Sequence, residues 1–506
     1  MKTSFFERRT ATLRALADRP LDLLVIGGGI TGSGIARDAA MRGLRTGLVD
    51  RHDFAYGTSS RSSRLLHGGL RYLEQGRVGL VHEASVEKKT IHAIAPHLAQ
   101  PMGFMFPAYR KGGRPLWQLR VGVKIYDLLC NGRNFQPSRG FTREETLHAL
   151  PALSQDGLIG SVRYFDALTN DARLVIDTLR SAATHGATLA NYVRFRTAQR
   201  SPEGWNCELE DVLSGETFSI RARALVNATG PWAEQIPHSA VKLRLSKGIH
   251  LVVDRSRLPV TDAVVITEGK RILFLIPWGE RVIVGTTDTD YRDAPENVRV
   301  EADDIAYVLR TVKAAFPQIT LGASDVISSW AGLRPLVANP DGTPSDISRA
   351  HQITSPQPGW WDVTGGKLTT YRLMAEQTVD NVARQLGRKL PACRTAAEPL
   401  LPPDQVNAFS GLVPPPCTYE AVAHYVQEEW ATHLDDVMVR RSSWHYYVEN
   451  PSSVAEQVAK WMAELCGWSE AESDQELAAY YAATSAPSAM VRVIHPPVRA
   501  IGKKAS

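Results

Sequence analysis

Five side chains carry the chemistry that can be read most directly from this chain. Arg71 lies in His67-Gly68-Gly69-Leu70-Arg71, Arg334 in Gly332-Leu333-Arg334-Pro335-Leu336, and Lys367 in Gly365-Gly366-Lys367-Leu368-Thr369. Glycine neighbours let a ligand and the backbone approach closely, so these cations can converge on one anionic group through charge-assisted hydrogen bonds. His67 and His250 are the proton-acceptor candidates, because imidazole titrates near operating pH. A lone Arg is ordinarily a solvated charge and a lone His ordinarily structural, and the shared motif setting is what singles these out. Thr370 and Tyr371, in the run after Lys367, offer hydroxyl contacts.

Such groups need elements to hold them in register. The apolar run at residues 21–26 reads as a buried parallel strand, Gly27-Gly28-Gly29-Ile30-Thr31-Gly32 as a tight turn, and residues 33–42 as a helix. Gly27 permits the turn, Gly29 lets the backbone approach a diphosphate, and Gly32 lets helix and strand pack closely. A second apolar run at 46–49 ends in Asp50, where an acid would meet a ribose hydroxyl. By itself this turn leaves NAD and FAD equally open.

Two further strand-to-glycine transitions follow, one at 224–227 into Ala228-Thr229-Gly230-Pro231-Trp232 and one at 360–363 into the Gly365-Gly366 run. Three such transitions spread so far apart predict one nucleotide-binding domain assembled from separated segments. The runs at 250–253, 272–276 and 282–285 predict an inserted antiparallel sheet forming the far wall of a substrate cleft. The expected fold is α/β: a Rossmann-like domain from 20–95, 155–232 and 325–390, and a mostly antiparallel substrate or cap domain from 96–154 and 233–324. Pro-rich segments at 398–403 and 411–416 mark a linker or ordered connection into a C-terminal helical domain, 395–490. Helices are expected there at 419–430, 434–447 and 454–468, followed by a flexible basic tail, 491–506.

The 506 residues, 43% hydrophobic and 22% charged, exclude disordered and collagen-like classes. Five widely spaced cysteines form no CxxC pair and no metal-ligand pattern, so reduced intracellular thiols and no metal are expected. No signal-peptide core and no run of about 18 apolar residues occurs, which predicts a chain that neither crosses a membrane nor is exported. Residues 418–480 hold twelve acidic and three basic side chains, leaving 55 basic against 41 acidic elsewhere. A basic body suits an anionic substrate or an anionic lipid surface. The dispersed cations come with no nucleic-acid-binding motif, so no nucleic-acid partner is expected.

Several blocks together fit one pattern: GGGITGSG at 27–34, SSRSSRLLHGGLRYLE at 59–74, NDARLV at 170–175, VNATGPWA at 226–233, KGIHLVV at 247–253, VGTTD at 284–288, GLRPL at 332–336 and GGKLTTYR at 365–372. In these the chain resembles the FAD-dependent glycerol-3-phosphate dehydrogenase family over roughly residues 20–390. Asn170 stands where members usually carry an acid, and the C-terminal domain resembles the family more weakly.

The resemblance implies a bound FAD and oxidation of sn-glycerol 3-phosphate to dihydroxyacetone phosphate by hydride transfer. Electrons would pass to a membrane quinone, or to oxygen in oxidase members. FAD contacts are expected from Gly27, Gly29, Gly32, Asp50, Ser59, Ser60, Ser62, His67, Gly68, Gly69, Ala228, Gly230, Trp232, Gly366, Lys367, Leu368 and Thr369. His67, His250, Arg334 and Lys367 are the expected catalytic residues, and Arg71, Arg334, Lys367 and Thr370 the substrate contacts. Glycine backbone and a helix start at 365–366 would stabilise negative charge on a reduced flavin.

Alternatives are an oxidase or dehydrogenase of a 2-hydroxy or amino acid, and a non-catalytic flavin-binding module. Between Arg110 and Arg133, six basic residues and one acid interleave with apolar ones. This stretch either lies in a lipid interface or packs on the body by its apolar face. The expected location is cytoplasmic, peripheral on the inner face of the cell membrane, and a homodimer is compatible with the resemblance.

Overall fold

The computed structural model describes residues 5–111, 113–130, 132, 134–269, 271–337 and 351–485, the side chains of Phe5, Phe6, Arg71 and Ser485 excepted. The tail 491–506 therefore lies outside the described residues.

The apolar runs at 21–26 and 46–49 form the strands Leu21–Ile26 and Thr46–Val49, and they pair in parallel with Leu23 beside Thr46. The sheet runs in the order Gln352–Gln357, Trp360–Thr364, Thr217–Asn227, Leu21–Ile26, Thr46–Val49, Thr188–Ala190, with the hairpin Val193–Ser201 and Gly204–Asp211 added on Thr217–Asn227. Its four central strands are parallel and covered on both faces, which explains the apolar runs at 21–26, 46–49 and 224–226. Helices Ile30–Met41, Asp171–Thr184 and Tyr371–Gln385 pack on one face. Leu13 and Leu16 of the helix Phe5–Asp18 join the hairpin on the other.

The second sheet has ten strands, almost all antiparallel. Leu243–Asp254 is central to its site-bearing half, paired with both Arg281–Gly285 and Val326–Val337. This sheet also takes in Leu158–Thr169 and Val326–Val337, which sequence boundaries at 155 and 325 put on the cofactor side. Each of these strands crosses the sheet before its chain returns to the cofactor half, so a composition-based boundary falls one strand early.

Asn170 begins that return at the first of them. Its Oδ1 accepts the Arg173 N–H at 3.3 Å, capping the helix Asp171–Thr184, and its Nδ2 donates to the Gly411 carbonyl at 3.1 Å. A carboxylate could cap the helix but could not donate to Gly411.

The C-terminal region shares a core with the second sheet: Trp444, Met438 and Tyr425 pack in one cluster with Trp278, Trp330 and Tyr126. The connection at 395–401 is ordered, with Arg37 donating to the carbonyls of Thr395, Glu398 and Pro399. Helices Tyr419–Glu428 and Pro451–Cys466 match two of the expected three. The stretch expected as a helix at 434–447 is instead a π turn, Asp436–Arg441, and a short helix, Trp444–Tyr447. Arg441 there makes a two-point bond to Asp53 at 2.8 Å, and Arg440 bonds the same carboxylate, so buried ion pairs rather than an amphipathic stripe shape this segment. A further helix, Glu470–Ser485, has too even a spread of polar residues to show in the pattern; Glu476 anchors it by accepting the N–H of Leu434 at 3.0 Å.

Candidate active site

Ile26, Val49, Asn227 and Thr364 end the four central parallel strands on one side of the sheet, and the residues that follow them line a cleft of about 1080 Å³. Ligands bind at the carboxyl ends of such sheets. The glycine turn forms one end of the cleft. Gly27 has φ +109°, and a Cβ there would lie 2.6 Å from the Ala228 carbonyl oxygen; a Cβ on Gly32 would lie 1.9 Å from the Gly27 oxygen. Gly29 has only Ser59 Oγ near its Cβ position, at 3.1 Å, so its open side faces the cleft. The helix Ile30–Met41 starts there without a side-chain cap, and Ile30 N–H donates to Ser59 Oγ at 3.0 Å. An uncapped helix start behind a glycine turn is a seat for a diphosphate.

Asp50 accepts the N–H groups of Gly28 and His52 at 2.7 and 2.8 Å. Burial pushes its pKa up to about 6 against the pull of these two donors. Ala228, Gly230 and Trp232 line the same end, with Trp232 Nε1 donating to Glu296 at 2.7 Å. These features fit the adenosine half of a dinucleotide.

The serine-rich loop crosses toward the second sheet, where Thr58 Oγ1 donates to the Leu333 carbonyl at 2.6 Å and Trp330 Nε1 to the Ser62 carbonyl at 3.2 Å. Gly332 permits this approach, since a Cβ there would lie 2.6 Å from the Arg61 oxygen.

Strand register then brings two of the candidate residues onto one face. Ser246 pairs with Arg334 and His250 with Trp330, so both functional side chains project from alternate positions of adjacent strands toward the cleft. The Arg334 guanidinium donates to Thr286 Oγ1 at 2.9 Å and to the Thr287 carbonyl at 3.1 Å. Gly248 leaves it room, because a Cβ there would meet a guanidinium nitrogen at 2.5 Å.

His250 is buried, stacked on Trp330 at 5.2 Å, with Nε2 2.8 Å from Ser63 Oγ. Its buried Nδ1 has no hydrogen-bond partner among the described residues. Burial, and then the Arg334 and Arg64 cations, hold its pKa well below the usual imidazole value, so the ring is neutral.

Lys367 arrives from the cofactor sheet, where positive φ at Gly365 and Gly366 turns the chain between Trp360–Thr364 and the helix Tyr371–Gln385. Its ammonium lies 4.0 Å over the Tyr72 ring and 3.4 Å from the Gly68 carbonyl. His67 lines the cleft beside it, fixed by a backbone N–H bond to Thr369 Oγ1 at 3.0 Å.

Thus Gly27, Gly29, Asp50, Ser59, Ser62, His67, Gly69, Ala228, Gly230, Trp232, Gly366, Lys367, Leu368, His250 and Arg334 all line one cleft. Gly32, Ser60, Gly68 and Thr369 stand behind that lining and support it. Thr370 is buried, and its hydroxyl donates to the Lys367 carbonyl at 3.3 Å, which sets it apart from the substrate contacts expected of it. The Arg71 side chain lies outside the described residues. Sequence reasoning missed Ser63, Tyr72, Thr286 and Thr287, which hold His250, Lys367 and Arg334. All four fall inside the recognised blocks, but their partners are 47 or more residues away and only the tertiary fold brings them together.

The expected amphipathic stretch is the helix Leu116–Leu129 at the other end of the cleft. Leu119, Val123 and Tyr126 pack inward. Trp117, Val121, Ile125 and Leu128 are 69%, 51%, 43% and 70% exposed, so a second apolar stripe is left facing outward beside Arg120 and Lys124. Trp117, Val121 and Ile125 also line the cleft, opposite Ile272 and Phe274.

Comparison with known proteins identifies the family. Residues 22–381 match the model of the FAD dependent oxidoreductase family, and residues 372–473 match the C-terminal domain of alpha-glycerophosphate oxidase. The aerobic glycerol-3-phosphate dehydrogenase of Bacillus subtilis (strain 168) is 38% identical over 403 residues, 78% of this chain and 73% of the relative. The chain belongs to the FAD-dependent glycerol-3-phosphate dehydrogenase family.

A second relative within the glycerol-3-phosphate dehydrogenases, glycerol-3-phosphate dehydrogenase 2 of Mycobacterium tuberculosis (strain ATCC 25618 / H37Rv), is 33% identical over 95% of this chain and 90% of its own. The crystal structure of the Bacillus halodurans glycerol-3-phosphate dehydrogenase complexed with FAD superposes with a TM-score of 0.75 at 29% identity, covering 98% of this chain and 99% of that one. L-alpha-glycerophosphate oxidase from Mycoplasma pneumoniae shares the fold, with a TM-score of 0.59 at 18% identity over 76% of this chain and 99% of that one. Like its family, the protein is an FAD-dependent oxidoreductase, and the glycine turn and Asp50 supply the fit for the cofactor. Among the described residues no helix is long and apolar enough to cross a membrane, and all five cysteines are free thiols.

Proposed function

We propose that the protein oxidises sn-glycerol 3-phosphate to dihydroxyacetone phosphate and passes the electrons to a membrane quinone. The observation that carries this reading is the arrival of Arg334, Lys367 and His250, from two different sheets, in the cleft that begins at the dinucleotide turn. Bound FAD supplies a two-electron hydride acceptor.

The chain's own residues do the rest. Arg334 and Lys367 bind the phosphate and so orient the carbinol carbon. His250, which lines the cleft and pairs through Nε2 with Ser63 Oγ, is the acceptor for the substrate hydroxyl proton. The low pKa of the ring rises when a dianion arrives beside it, which matches the acceptor to the moment it is needed. His67 lines the same wall of the cleft and would help to hold the cofactor there.

The outward stripe of the helix Leu116–Leu129 and its flanking cations support docking on an anionic lipid surface, at the cytoplasmic face of the cell membrane. Because that helix also lines the apolar end of the cleft, a lipid-dissolved acceptor has a short path to the site.

Mixing the flavin-loaded protein with glycerol 3-phosphate without oxygen tests the reading: the flavin absorbance bleaches. Bleaching only with a hydroxy or amino acid would replace the substrate, and none with any of them would leave a flavin-binding module. Stopped-flow reoxidation then compares oxygen with a soluble quinone, and faster reoxidation by oxygen would make the protein an oxidase.

A further inference from the structure

We infer that Tyr126 is a positioning residue for the anion-binding end of the cleft, holding Gly68, and through it Lys367, against the buried Lys88–Asp166 pair. The inference rests on the reading of Lys367 as a phosphate-binding cation. Four separate elements meet at this point. Tyr126, on the inner side of the helix Leu116–Leu129, accepts the Gly68 N–H at 2.8 Å and donates its own proton to Asp166 Oδ1 at 2.5 Å. Lys88, from the helix Val78–Ile94, donates to the same carboxylate oxygen at 2.8 Å, to the Phe165 carbonyl at 2.9 Å and to Asn134 Oδ1 at 3.1 Å. Tyr126 and Lys88 are wholly buried and Asp166 is 2% exposed, so each bond acts in a medium where an unmade one is costly.

The loop these groups hold has no slack. A Cβ on Gly68 would lie 2.5 Å from both the Tyr126 hydroxyl and Ser85 Oγ. A Cβ on Gly69, where φ is +82°, would lie 2.5 Å from the Tyr72 ring and 3.0 Å from the Lys367 ammonium. Lys367 in turn reaches the Gly68 carbonyl, so the peptide that Tyr126 grips on its N–H side is flanked by the contact that orients the cation. Asp166 lines the cleft, and Lys88 balances its charge there so that an incoming anion does not meet a bare carboxylate. The arrangement ties the geometry of the cation to a rigid buried network instead of leaving it to a flexible side chain.

Tyr126→Phe keeps the ring packed on Tyr164 and leaves Lys88 and Asp166 paired. In the full-length flavin-loaded enzyme, titrating inorganic phosphate against the flavin spectrum should show roughly tenfold weaker binding with flavin content unchanged. The KM for glycerol 3-phosphate should rise by a similar factor and kcat should move less. In a Lys367→Met background the same change should cost less than about twofold, because both act on one contact. Hydrogen exchange over residues 67–70 should quicken in Tyr126→Phe, and it is measurable even if flavin loading falls. Phosphate binding within about twofold of the wild type, full additivity with Lys367→Met, or unchanged exchange would each overturn the role. If glycerol 3-phosphate fails to bleach the wild-type flavin, the proposed function falls, while the phosphate cycle still decides the role of Tyr126.

Discussion

The two ends of the cleft are built on different terms. At the cofactor end the contacts are made to the backbone: Gly27 closes against Ala228, Gly32 against Gly27, and the Asp50 carboxylate holds the amides of Gly28 and His52. At the other end the working atoms are side-chain termini, and each is held by a residue far away in the chain: Arg334 by Thr286 and Thr287, His250 by Ser63, Lys367 by Gly68 and Tyr72. A backbone turn binds whatever carries a diphosphate and tolerates no added atom at Gly27 or Gly32. Convergent side chains decide which substrate is oxidised, and each can be changed without unmaking the fold.

The largest effect that would break this contrast belongs to the turn. Gly32→Val puts a side chain 1.9 Å from the Gly27 oxygen, so the turn cannot close, and the purified variant should carry no flavin absorbance. Gly29→Ala, by comparison, meets only Ser59 Oγ; it should keep the stability of the apoprotein while weakening FAD binding, as a flavin titration would show. A Gly32→Val protein that retains full flavin would refute the backbone account.

At the side-chain end, His250→Asn should slow flavin reduction roughly 10²- to 10⁴-fold with flavin content intact, measured by anaerobic stopped flow. Arg334→Ala should lower kcat/KM by roughly a hundredfold, the worth of a lost charge-assisted contact, again with full flavin loading. Unchanged kinetics would remove either residue from the site.

A smaller effect is expected at the exposed helix. Leu128→Ser, outside the cleft lining, removes apolar area that would be buried in lipid, at about 1.5–3 kcal/mol for a large side chain, so sedimentation with anionic liposomes at low salt should drop while turnover with a soluble acceptor stays the same. Absence of sedimentation in the wild type would sink the docking.

The smallest signal is the His250 titration. Its folded pKa is lowered, so the neutral form is complete above the usual imidazole value and is lost only as pH falls through a much lower one. Ring NMR of the substrate-free enzyme should show no protonation between pH 8 and 6, and adding phosphate should raise the pKa. A midpoint near 6.5 in the free enzyme would contradict the burial among Arg334 and Arg64.

Much of the cofactor end is legible in the sequence. The strand at 21–26, the turn and Asp50 lie within thirty residues, and glycine spacing reports directly on where a Cβ cannot fit. The cations and His250 were also visible, but as members of motif blocks whose meeting point had to be supposed. Thr370 shows where that fails: it stands three residues from Lys367, yet a helical turn points its hydroxyl back at the Lys367 carbonyl and away from the cleft. The C-terminal π turn escaped for a related reason, since buried Arg–Asp pairs read as a charged surface until Asp53 is seen beside them.

By itself the sequence determined the dinucleotide turn, the parallel strands that feed it, the family and the identity of the candidate cations. These follow from local periodicity and from residues whose backbone or charge permits few alternatives. Tertiary structure alone decided that Leu158–Thr169 and Val326–Val337 belong to the substrate sheet, that Arg334 and His250 share a face, and that Tyr126 reaches Gly68. Those facts depend on strand register and on packing between segments tens to hundreds of residues apart, and neither leaves a periodic trace in the chain.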